Sequence, residues 1–278
     1  MRIGAHESTA GGLHSAFARA EADGCEALQI FTGYNTRWAE RPLDDVEASL
    51  FLSEAARANG APLLSHCCYL INLASPERRL WRRSVDALCA ELERCETLGI
   101  AGAVLHPGSH MGSGERAGLA RAAAALGEVH RRTPGYRARV LLENTAGQGN
   151  TLGRRFEQLG WLLDRTPGGE RLGVCVDTCH AFAAGYDLSA ATLAELDRHV
   201  GLDRVLAFHL NDSLRARGSR VDRHTHVGEG ELGLAPFARL VNDPRLTDVP
   251  GIVETPPLPD GSSSFARNIE TLKRLRGR

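Results

Sequence analysis

The chain has 278 residues, 42% hydrophobic and 24% charged, with a formal net charge of −1. That length accommodates two small domains or one large α/β domain, and the near-neutral balance excludes a global basic field, though not a local basic rim around a cleft. The seven cysteines are scattered, form no CxxC pair and follow no secretory leader at 1–7, and no apolar stretch reaches the length of a membrane span; the expected setting is a reducing cytoplasm with no membrane partner. Of the 33 basic residues only Lys273 is a lysine. Coding bias accounts for most of that excess of arginine, and bidentate phosphate recognition is the functional alternative.

Short apolar runs alternate with longer amphipathic stretches. In chain order the runs are RIGAH (2–6), ALQIF (27–31), PLLSH (62–66), AVLH (103–106), RVLLE (139–143), LGVCVD (172–177), RVLAFHL (204–210) and GIVE (251–254). Near-continuous apolar runs of this length fit strands buried on both faces. Helix signals lie between them, most clearly over 76–98, with Ser75 as N-cap, Pro76 at the first position and Gly99 just past the end. Eight strand–helix units in 278 residues average about 35 residues each, and no linker or low-complexity stretch divides them. An open doubly wound sheet is the alternative, but eight regular units favour a closed (β/α)8 TIM barrel, with 1–278 as one domain.

In such a barrel the chemistry sits where strands end. The third, fourth and seventh runs deliver His66, His106 and His209, and the fifth, sixth and eighth deliver Glu143, Asp177 and Glu254. One histidine at a strand end is an ordinary hydrogen-bonding residue. Six converging polar groups are costly to desolvate unless cations compensate them. His180 follows Asp177 by one helical turn, and Asp222 and His224 are spaced to point to one side of an extended segment. Five imidazoles and four carboxylates exceed the needs of one ion, so a cluster of two or three is expected. The imidazole-rich set favours zinc, with manganese or iron as substitutes, over magnesium or calcium.

Other features receive plainer readings. Cys175, two residues before Asp177, faces the same side lower in the barrel, and all seven thiols are read as packing. ENTAGQGNTLG (143–153) lacks dinucleotide-fingerprint spacing and reads as a tight loop clearing room beside Glu143. His14, His130 and His199 fall in helical stretches and are expected to be solvated. His6, His110 and His226 lie near rim loops as candidates to support the ligands.

With these residues in view, LLENTAGQGNTLG, GVCVDTCHAFAAGYD, HLNDS and SRVDRHTHVGEGELG closely resemble, in order, the signatures of the endonuclease IV family of apurinic/apyrimidinic DNA repair endonucleases. The similarity runs from GAHES at 4–8 to ETPPLPDG at 254–261. The resemblance implies a trinuclear zinc site. His66, His106 and Glu143 would hold one ion; Glu143, bridging, with Asp177, His209 and Glu254 a second; His180, Asp222 and His224 the third. It implies hydrolysis of the phosphodiester 5′ to an abasic site in damaged duplex DNA by metal-activated hydroxide oriented by Glu143, leaving a 3′-hydroxyl and a 5′-deoxyribose phosphate. Tyr69 and Leu70 match positions that penetrate the duplex in place of the extruded nucleotide. In FTGYNTRW (31–38), Thr36 stands where the family usually has Arg, which leaves the wedge role to the adjacent Arg37; Leu214 stands where Lys is common, and Arg223 is expected on phosphate. A monomer without an obligate protein partner is the family expectation.

Two other classes carry some of the same signals. A divalent-metal sugar isomerase or epimerase shares the barrel, but it needs fewer histidines and an acid–base pair for proton transfer. A non-catalytic binder of zinc or damaged DNA would hold the same ligands but would require a missing nucleophile-orienting group, and Glu143 is present.

Overall fold

The computed structural model describes residues 1–38 and 42–277. Its strands are β1 (Arg2–His6), β2 (Leu28–Ile30), β3 (Leu63–His66), β4 (Gly102–Leu105), β5 (Arg139–Glu143), β6 (Leu172–Asp177), β7 (Val205–His209), a short pair β8 (Asp212–Ser213) and β9 (His224–Thr225), and β10 (Pro250–Val253). Strands β1 to β7 and β10 close into a barrel in the order β1-β10-β7-β6-β5-β4-β3-β2, each neighbour parallel to the next. These are the eight expected strands, with every end within one residue of its expected place. Each is followed by helix: α1 (Ser15–Ala22), α2 (Asp45–Arg57), α3 (Arg78–Leu98), α4 (Glu115–Arg132), α5 (Phe156–Arg165), the pair α6 (Thr178–Ala184) and α7 (Ala190–His199), α8 (Leu234–Asn242) and α9 (Phe265–Leu275).

Apolar side chains divide between two layers. Inside the barrel Ala27, Leu64, Val104, Leu141, Cys175, Ala207 and Ile252 pack together, while a larger layer fills the space between strands and helices. The small interior layer forms the floor on which the polar mouth stands. Cys175 lies in it, below the end of β6, as its spacing from Asp177 requires. All seven cysteines are free thiols.

The structure corrects two expectations and adds one element. Helix α3 starts at Arg78, not Pro76, because Ser75 Oγ accepts from the Glu77 amide at 3.1 Å and turns the chain before the helix begins. Its end is as expected: Gly99 adopts φ 67°, a left-handed conformation that favours glycine, and the Ile100 amide reaches back to the Cys95 carbonyl. His130 is buried instead of solvated, with Nδ1 2.9 Å from the Pro167 carbonyl; His14 and His199 are half-buried. The β8–β9 ribbon adds an element that no sequence pattern announces, since two residues per strand leave no periodicity to read.

Just beyond β1, Glu7 is only 4% exposed, and burial followed by the Asp23 carboxylate pushes it up to about 7. The native state therefore binds this proton more tightly than the unfolded chain does between the ordinary 4.5 and about 7. Stability is expected to fall as pH rises through that window. Chemical denaturation of wild type and Glu7→Gln at stepped pH checks this: the variant should show a flatter decline, and parallel curves would contradict it.

Candidate metal centre

Seven of the barrel strands end on, or hand over directly to, an ionisable side chain at one rim: His6, His66, His106, Glu143, Asp177, His209 and Glu254, while β2 contributes Gln29. The parallel pairing sets Asp177 directly beside His209, while Glu143 pairs with Cys175, two residues short of the end of β6. Glu143 sits at the centre, 1% exposed. Its Oε2 lies 2.9 Å from His106 Nε2 and 3.3 Å from His66 Nε2; its Oε1 lies 2.9 Å from His209 Nδ1 and 3.3 Å from His180 Nδ1. Glu254 Oε2 approaches the same His209 nitrogen at 3.2 Å.

Asp177 answers whether the Asp/His pair caps a helix or faces the site. It does both. Oδ1 accepts from the His180 amide at 2.6 Å, capping α6, and Oδ2 accepts from Asn211 Nδ2 at 2.8 Å while standing 3.6 Å from His224 Nε2. The β8–β9 ribbon swings Asp222 and His224 over this corner. Asp222 Oδ2 lies 3.2 Å from His180 Nε2, and Oδ1 lies 3.3 Å from His224 Nε2.

All nine residues singled out from the sequence thus meet in one place. His66, His106 and Glu143 form one compact group and Glu143, Asp177, His209 and Glu254 another, the donor atoms of each within 4.8 Å of one another. The third corner is less simple. Its compact groups are Asp177–His180–His224 and Cys179–Asp222–His224, so Asp177 leans toward this corner and a thiol stands within reach of it. Burial pushes the thiols of Cys175 and Cys179 up to about 12, which keeps both protonated at neutral pH and suits packing better than ligation.

The donor set fits divalent cations. His66 Nδ1 is held by the Cys67 carbonyl at 2.8 Å, His180 Nδ1 by the Asn144 carbonyl at 3.0 Å and His209 Nε2 by Gln29 Oε1 at 3.0 Å. Each contact fixes a proton on the outer nitrogen and leaves the inner lone pair facing the carboxylates, the arrangement of metal-binding imidazoles. His224 Nε2 is buried with no hydrogen-bond partner among the described residues, a donor atom that a cation would satisfy.

The electrostatics agree. Burial opposes charge on every member, yet Asp177, Asp222 and Glu143 hold His180 well above the ordinary imidazole value, and Glu254 and Glu143 do the same for His209. Burial likewise opposes ionisation of Glu143, but His209 and His106 hold its carboxyl well below the usual carboxylate range. The groups borrow charge from one another in the way that bound cations would supply it.

The remaining candidates separate by place. Tyr69 is 54% exposed and stands on the rim, its ring 5.2 Å from that of His66; Leu70 beside it is half-buried. The Tyr69 amide donates to the Asn35 carbonyl, which ties the 67–70 turn to the loop carrying Arg37. Arg37 is exposed and lies over the Tyr34 ring, 5.6 Å from its centroid. Arg223, also exposed, projects between the Asp222 and His224 positions with Nη1 on the Asp222 carbonyl. Of the supporting histidines, His6 joins the site, Nδ1 lying 3.1 Å from Glu254 Oε1. His110 accepts from the Gly114 amide and His226 faces Asn268, so neither joins it.

Sequence reasoning passes over four polar side chains. Gln29, fully buried, donates to Glu254 while accepting from His209; Asn144 brackets Asp177 through both its amide groups; Asn211 donates to Asp177 and accepts from the Glu254 amide. Asp212 gathers the amides of Ser213, Gly228, Gly230 and Leu232 under the ribbon. Each is a polar residue interrupting or directly following an apolar strand run, a signal that could mark it.

A family profile described as "Xylose isomerase-like TIM barrel" matches residues 17–275. A Chloroflexus aurantiacus protein named "Probable endonuclease 4" is 50% identical over 260 residues, covering 92% of this chain and 91% of that one. The crystal structure of endonuclease IV from Thermus thermophilus superposes with a TM-score of 0.87 at 39% identity, covering 99% of this chain and 98% of that one. A D-tagatose 3-epimerase-like protein superposes with a TM-score of 0.74 at 19% identity, covering 99% and 97%, a likeness of fold alone. With identity this high sustained over nearly its whole length, the chain belongs to the endonuclease IV family.

Proposed function

We propose that this chain is a DNA repair endonuclease, one domain over 1–278, that hydrolyses the phosphodiester 5′ to abasic sites in duplex DNA and leaves a 3′-hydroxyl and a 5′-deoxyribose phosphate. The observation that carries this reading is the placement of Glu143, its two oxygens shared between two groups of imidazoles at the mouth of a barrel built like endonuclease IV. We assign three zinc ions to His66, His106 and Glu143, to Glu143, Asp177, His209 and Glu254, and to His180, Asp222 and His224. Ions so held would lower the pKa of bound water and offset charge that grows on phosphoryl oxygens.

The chain's own residues supply orientation and access. Glu143, buried and charged, points one oxygen at each neighbouring group and orients the attacking water between them. Gln29 accepts from His209 Nε2 and so turns Nδ1 toward Glu143 and Glu254, where it would serve as the ligating nitrogen once deprotonated. Tyr69 and Leu70 fill the gap that an extruded abasic nucleotide leaves in the stack, and Arg37 and Arg223 contact the backbone on either side. Extrusion costs least where no base is paired or stacked, which favours abasic sites over intact ones. A cytoplasmic monomer completes the reading; no helix among the described residues is long and apolar enough to cross a membrane.

Five outcomes test it. Incision of a duplex bearing one tetrahydrofuran abasic analogue should occur 5′ to the lesion; Glu143→Gln should bind the same duplex but lose incision by a factor on the order of 10³ or more. Wild-type rates in the variant would contradict the assigned role. Metal analysis should return three zinc per chain. Because the imidazoles of His66, His180 and His209 are held above 6.5 and must lose protons to ligate, zinc affinity should weaken progressively as pH falls, beginning already above 6.5, readable by competition with a chromogenic chelator. Gln29→Leu, which removes the acceptor for His209 Nε2, should weaken zinc binding by roughly 10- to 100-fold in the same titration; unchanged affinity would refute its positioning role.

A further inference from the structure

The opening turns of α3 carry Arg78, Arg79, Arg82 and Arg83, all exposed, around a shallow concavity they share with Asp86. Physical chemistry argues against this arrangement as a structural device. A helix N-terminus is the positive end of the peptide dipole and favours acidic side chains; α3 has Glu77 at its N-cap, without a side-chain capping hydrogen bond, but its first turn holds no acid. Arg78 with Arg82, and Arg79 with Arg83, are like charges four residues apart, which repel along a helix face. The acidic group in the concavity gives little relief, since Asp86 Oδ1 is engaged by Arg132 at 2.6 Å. Among the described residues Arg78, Arg79 and Arg82 have no ion-pair or hydrogen-bond partner. Four guanidiniums kept where they disfavour the helix point to a polyanion that compensates them.

The patch is also continuous with the metal centre. Arg83 lies over the Trp38 ring, its guanidinium 4.6 Å from the centroid, and lines both the outer concavity and an inner cleft that reaches Arg37 and His66. A basic path therefore leads from the centre past Arg37 and Arg83 to Arg78. Along the helix axis Arg78 to Arg83 spans about 7.5 Å at ~1.5 Å per residue. That is roughly two steps of one DNA strand at ~3.4 Å each.

We propose that Arg78, Arg79, Arg82 and Arg83 form a landing surface for the phosphate backbone of duplex DNA flanking the lesion, extending the footprint of the proposed endonuclease beyond the barrel mouth. The proposal rests on that reading of function and fails separately from it. The test compares wild type with Arg78→Ala/Arg79→Ala/Arg82→Ala, sparing Arg83 for its contact with Trp38, and uses Arg274→Ala on α9 as a control. Incision of the abasic duplex and anisotropy with an undamaged duplex are followed across a salt series. The triple variant should raise KM at least about tenfold at low salt with kcat within about twofold, and its log–log salt slope should fall by about 3. Its Tm should hold or rise, because repulsion at the helix start is removed; Arg274→Ala should match wild type throughout. An unchanged slope and KM would overturn the proposal, as would a lower Tm accompanied by a loss of kcat. Should wild type fail to incise, the endonuclease reading falls, and the slope on undamaged duplex alone decides the patch: a fall supports it, no change refutes it.

Discussion

The carboxylate of Glu143 carries its charge where water does not reach, and the rest of the mouth is arranged around that fact. An isolated buried carboxylate would simply take up a proton. Four imidazole nitrogens within 3.3 Å prevent this, and the rings of His66, His180 and His209 are in turn held by a backbone carbonyl or the Gln29 amide. The barrel makes such a knot possible. Its small interior layer of Ala, Leu, Val, Ile and Cys side chains seals the floor, so that all the polar groups gather at one end and share one environment.

Geometry then separates what a strand end can do from what a loop can do. Strand ends deliver side chains at fixed height and spacing, which suits the two groups that share Glu143. The corner at Asp177, His180, Asp222 and His224 combines a helix cap with a ribbon, and its donors fall into two overlapping arrangements instead of one. Asp177 is the joint between the two regimes, since one oxygen ends β6 in a cap and the other faces the ribbon.

Much of this is legible in the chain because period and punctuation agree. Apolar runs closing on His, Asp or Glu mark both the strands and the rim at once, so His66, Glu143, Asp177 and His209 can be named together. Gly153, with φ 91° and its α-carbon face against the Glu143 carbonyl and Pro107, shows why the loop after β5 needs a glycine where it packs beside Glu143. What stays hidden depends on tertiary partners. Gln29 is a single amide in an apolar run, and nothing local says that His209, far along the chain, needs it. His130 reads as a helix-surface residue until the Pro167 carbonyl covers it. Helix α3 begins late because a serine makes a turn that a Ser-Pro pair does not announce.

The ribbon has a consequence for the entropy of ion capture. Its register joins Asp212 to Thr225 and Ser213 to His224, closing the intervening segment at its base, and the Asp212 carboxylate pins the following turn through four amides. The cost of closing that loop is therefore met by hydrogen bonds within the protein. Asp222 and His224 arrive already aimed, and a cation entering this corner finds a shape to occupy instead of a chain to organise.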